Sequence, residues 1–73
     1  MSIFVAEIPF SYFYRGEDIF FKVRAAFHDV NAAEHWGCNA PARLADAQEQ
    51  VGSDVRHLVR PEGEVYIRRM PLY

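Results

Sequence analysis

The chain has 73 residues, 51% hydrophobic and 15% aromatic, with eight lysines and arginines against ten aspartates and glutamates for a net charge of −2. That length makes one domain over 1–73, which buries about 60% of its unfolded surface and is a marginal monomer unless its core is well filled or shared. The composition excludes a disordered tail, the acidic balance argues against a phosphate backbone as main partner, and the apolar runs fall short of the roughly 20 residues that span a bilayer.

No basic region followed by an apolar core opens the chain, and a lone cysteine makes no internal disulfide, so a cytoplasmic protein without membrane attachment is expected. Charge is uneven. Residues 1–54 carry four basic and eight acidic side chains, whereas residues 55–73 carry four arginines against Glu62 and Glu64.

The first elements are apolar and aromatic. Ile3–Ile8 is a short strand ended by Pro9, which donates no ladder hydrogen bond and favours an edge or a bend. Phe10–Tyr14 and Ile19–Phe27 flank "RGED" as a β-hairpin, Gly16 supplying the backbone freedom of the turn. A helix over Glu17–Phe27 competes, since Ile19, Phe20, Val23 and Phe27 share a helical face; the density of β-branched and aromatic residues favours strand.

With Gly16 and Glu17 as the loop, Tyr14 faces Ile19, Tyr12 faces Phe21 and Phe10 faces Val23 on one side of the hairpin. Phe13 faces Phe20 on the other, beside Ser11 and Lys22. So small a domain lacks a second layer to cover both sides. The Phe13–Phe20 side is therefore expected to serve as a dimer surface or a docking site for another protein, with Tyr12, Tyr14 and Arg15 as its rim.

The middle is helical. Asn31 and Glu34 have the spacing of a capping box, and Gly37 suits a helix end. A second helix starts at Pro41, runs to Val51 with Leu44, Ala47 and Val51 on one side, and stops at Gly52.

Within that region "AAEHWGCNAPARL" gathers His35, Trp36 and Cys38, with His28 seven residues before His35. Zinc wants four ligands with a tight cysteine pair, and a site here would have to recruit His57 to His28, His35 and Cys38. The plainer expectation is that Trp36 plugs the corner between helix and sheet while Cys38 packs as a small buried hydrophobe. A thiol nucleophile at Cys38 lacks a cleft and an oxyanion donor, and the four isolated glycines form no phosphate loop. No enzyme activity and no cofactor are expected.

Val55–Arg60 and Glu64–Met70 flank "PEG" as a second hairpin, with Arg60 opposite Glu64 and Arg56 opposite Arg68. Arg56, Arg60, Arg68, Arg69 and Tyr66 then make an alternative site for single-stranded nucleic acid.

These elements predict an α+β fold: a small antiparallel sheet of four or five strands in two hairpins, with one main helix on one face, in the order β-β-β-α-β-β. The function expected is a small binding or regulatory module, an inhibitor or an adaptor, that engages another protein or a second copy of itself.

Overall fold

The structure, a computed structural model, describes residues 2–71. Strands β1 (Ser2–Tyr14) and β2 (Glu17–Phe27) form an antiparallel hairpin in continuous register from Phe4 opposite Phe27 to Tyr14 opposite Glu17. The competing helix over Glu17–Phe27 is not formed.

The turn is Arg15–Gly16, with φ of 51° and 84°. Two successive positive values twist the connection in the sense the strands require, and glycine accepts such a φ without steric penalty. The expected loop at Gly16 and Glu17 is therefore corrected by one residue and the register by two. An even shift keeps every side chain on its expected face. Phe13 now lies opposite Asp18, and Phe20 opposite Ser11.

The second hairpin is not formed. Arg56–Leu58 is a single 3-10 turn, β3 (Arg60–Pro61) is two residues long, and β4 is Tyr66–Pro71. Neither short strand pairs with the other; both pair antiparallel with β1, along the edge that β2 leaves free. A 13-residue central strand offers a second row of backbone donors and acceptors. Pairing residues 60–71 against that row satisfies more of it than folding the segment on itself.

Pro9 does not end β1 as expected; the strand runs straight through it at the centre of the sheet. Its carbonyl accepts the Glu62 amide at 2.9 Å, so its backbone faces the β3–β4 side, and residues 62–65 interrupt pairing where its N–H is missing. The proline is tolerated because the neighbouring strand is broken beside it.

Helix α1 (Val30–Cys38) is capped by Asp29, whose carboxylate accepts from the Asn31 amide at 3.0 Å, rather than by the expected Asn31–Glu34 box. Gly37 lies inside α1 and does not terminate it. Helix α2 (Ala40–Gln50) starts as its sequence predicts, the Asn39 side chain accepting from the Ala42 amide at 3.4 Å with Pro41 in the first turn. It ends at Gln50, short of Gly52.

The fold is thus an open, four-stranded antiparallel sheet with two helices on one face, in the order β-β-α-α-β-β, where one main helix and a different order were expected. Ile8, Phe10 and Val23 of the sheet meet Ala47 of α2 and Val59 to form the core, with Tyr12, Phe21, Trp36, Leu44, Val51 and Val65 packed around it. Ala6, Ala33 and Ala47 are fully buried, their small side chains allowing close approach of helix and sheet.

Trp36 packs on Phe27 with ring centroids 5.8 Å apart, and the Arg43 guanidinium sits 4.4 Å above its ring. The radius of gyration is 13.5 Å and the long axis 44 Å. A compact chain of this length has a radius of about 11 Å; the excess reflects the long hairpin.

Candidate functional site

Alternation along the strands divides the sheet into two faces. Phe10, Tyr12, Phe21 and Val23 point toward the helices. The other face carries Val5, Glu7, Pro9, Ser11 and Phe13 of β1, with Asp18, Phe20, Lys22 and Arg24 of β2 and Tyr66, Arg68 and Met70 of β4. No helix of the described residues covers it.

The exposed aromatic side chains on this face are Phe13 (54%), Phe20 (67%) and Tyr66 (64%). Phe13 and Phe20 are diagonal neighbours near the hairpin end, where β1 has already run past β3. Of the expected binding residues, Tyr14 and Arg15 are exposed at the tip, with the Arg15 guanidinium 5.2 Å from the Tyr14 ring centre. Tyr12 lies on the side that its alternation predicts, now covered by the helices and edge-on to Phe21 at 6.0 Å, which removes it from the rim of the Phe13–Phe20 face.

Behind the aromatic residues lies a charge cluster centred on Glu7. The Glu7 carboxylate lies 3.0 Å from Arg68, 3.4 Å from Lys22 and 3.5 Å from Arg24, with its own side chain 8% exposed. Burial pushes this carboxyl up, but the Lys22 hydrogen bond and the charges of Arg24 and Arg68 outweigh it and hold the group below its ordinary value.

A second cluster joins Ser11, Arg60 and Glu62. The fully buried Ser11 hydroxyl donates to the Glu62 carboxylate, and Arg60 Nε donates to the same carboxylate at 2.9 Å and to Ser11 Oγ at 3.3 Å. These two hydrogen bonds to Glu62 lower its carboxyl, against a smaller effect of burial. Arg60 also lies 3.6 Å from Asp18.

These clusters were not foreseen. Glu7 was legible only as the one acid inside the apolar run of 3–8, and Ser11 and Glu62 meet only because residues 60–71 run along β1.

The alternative nucleic-acid site is not brought together on one face. Arg60, Tyr66 and Arg68 reach the open face, but Arg69 points to the opposite one, donating from Nε to Ser2 Oγ at 2.9 Å, and Arg56 sits in the 3-10 turn. The open-face cations are also engaged by Glu7, Glu62 and Asp18.

Among the described residues no group of three His, Cys, Asp or Glu side chains is arranged to hold a metal, and His28, His35 and Cys38 do not converge. Cys38 is exposed, not buried as expected, because α1 continues through Gly37 and carries it to the helix end. It lies at an apolar groove of about 680 Å³ between the helices and residues 61–65, lined by Ile8, Phe10, Pro41, Leu44 and Val65 among others.

No helix of the described residues is long and apolar enough to cross a membrane. Comparison with protein-family models, curated proteins and solved structures found no match.

Proposed function

We propose that this chain is a small non-enzymatic protein-binding module that engages its partner through the uncovered face of its sheet, with Phe20 and Phe13 as anchors. What carries the reading is the pair of phenylalanines left at 67% and 54% exposure on a face bounded by rigid strands. Exposed aromatic anchors on a preformed surface supply binding energy with little ordering to be done. Tyr66 and Arg15 supply an amphipathic border.

The mixed charges behind the anchors favour a protein over nucleic acid. Lys22, Arg24, Arg60 and Arg68 are interspersed with Glu7, Asp18 and Glu62, so among the described residues this face carries alternating charge and not the purely basic stripe that suits a phosphate backbone.

The test is photo-crosslinking from a benzoylphenylalanine at position 20 or 13 in the native source, with a probe at exposed Glu49 on α2 as control. A discrete partner band from 20 and 13, absent from 49, supports the reading. Equal labelling from all three positions overturns it.

A further inference from the structure

We infer that β2 pairs edge to edge with β2 of a second copy of this chain, in antiparallel register centred on Phe21. The contact uses the backbone rim of β2 and touches the open face only at Phe20, so Phe13, which lies outside it, separates this contact from the reading above.

β2 is an outer strand of the sheet, 11 residues long and without proline. A two-residue turn closes on a hydrogen-bonded Tyr14–Glu17 pair, so alternate residues from Glu17 exchange bonds with β1. Pro9 fits this phase. It lies opposite Lys22, and its carbonyl turns away from β2 to the Glu62 amide. The N–H and C=O groups of Asp18, Phe20, Lys22 and Arg24 therefore point outward, where no further strand of the described residues pairs.

Such a row is a template for another strand unless it is blocked by proline, a bulge or like charge. Here charge selects the partner. Centring a two-fold axis on Phe21 sets Asp18 opposite the partner's Arg24, and Phe20 opposite the partner's Lys22, each twice. On the helix side the same register sets Ile19 opposite the partner's Val23. All of residues 17–25 then pair.

Moving the axis to Lys22 places two lysines against each other. Moving it to Phe20 keeps an Asp18–Lys22 match but shortens the ladder and leaves Arg24 outside it. The Phe21 register alone combines a long ladder with matched charges, and the intramolecular contacts it draws on, Arg60 to Asp18 at 3.6 Å and Arg24 to Glu7 at 3.5 Å, are long ones.

The experiment is sedimentation equilibrium on the full chain over a concentration series, with amide exchange followed by NMR on the same samples. A monomer–dimer equilibrium is expected, with exchange at Phe20, Lys22 and Arg24 slowing as the dimer forms. D18R places cations opposite cations twice and should weaken the dimer about tenfold or more. D18R combined with R24D should recover the affinity, each variant being checked for unchanged melting temperature.

F13A lies outside this ladder and should leave the dimer unaffected, which separates this contact from the open face. A chain that stays monomeric at millimolar concentration overturns the proposal. So does a dimer in which those outward amides remain unprotected or in which D18R associates as the parent does. If R24D unfolds the chain, D18R and the exchange pattern still decide the matter.

Discussion

Gly37 of α1 touches Val65 so closely that a Cβ at position 37 would lie 2.7 Å from Val65 Cγ2. This contact joins the first helix to the segment between β3 and β4. Valine is stiff about χ1 and has no long arm to swing aside. Gly37→Ala should therefore destabilise the fold by about 1–3 kcal/mol despite alanine's better helix propensity, and Val65→Ala in the same chain should recover part of the loss. Urea denaturation of the four-member cycle measures the coupling.

Trp36 is the only tryptophan, so its fluorescence reports the corner where α1, β2 and Arg43 meet. Arg43 stacks on the indole and donates from Nη1 to the Trp36 carbonyl at 3.1 Å; its Nε is 2.8 Å from Asp46 Oδ2, an ionic contact too poorly aligned to count as a hydrogen bond. Arg43→Ala should shift the emission to longer wavelength and lower stability by about 1–2 kcal/mol, through loss of stacking more than of charge.

The two faces of the first hairpin were legible in the sequence because a period of two assigns Phe10, Tyr12, Phe21 and Val23 to one side and Phe13 and Phe20 to the other under either register. The turn position was not, since it depends on Arg15 taking a positive φ that arginine seldom adopts. The C-terminal topology was hidden for a different reason. Alternation in residues 55–70 fits pairing within the segment as well as pairing to β1, and only the free second edge of β1 decides between them. Pro9 reads as a stop because a lone sequence does not show that the strand beside it is broken.

Acid should loosen the fold through Glu7 and Glu62. Both carboxyls titrate below their ordinary 4.5 in the folded chain, so the unfolded chain binds more protons as pH falls. The stabilisation they provide is full above that value and is lost as pH drops through the lower folded ones. Urea midpoints should fall as pH drops through 4.5 and below, and more shallowly in a Glu7→Gln, Glu62→Gln variant.

Cys38 is open to solvent in the folded state. One equivalent of a thiol reagent should react without denaturant, at a rate that urea changes little. Protection of the thiol until unfolding would contradict the placement of the α1 end.

Phe13→Ala and Phe20→Ala should each change stability by less than about 0.5 kcal/mol, since most of each ring already faces water. Partner binding should nevertheless weaken by tenfold or more, about 1.4 kcal/mol, if these rings are its anchors. Calorimetric melting together with titration of the crosslinked partner checks both halves of the statement.

The seam along β1 also imposes an order in time. Its pairing with β2 closes across a two-residue turn, an event of about 1–10 μs. Its pairing with β4 joins Ser2 to Pro71, nearly the length of the chain, and must wait for the intervening helices to shorten the loop. The hairpin is thus the early structure and the last strand the slow one, so for an interval every molecule exposes a second long edge on β1. Charged Glu7 and the proline beside it sit at the middle of that edge, where they hinder wrong strands from docking before the right one arrives.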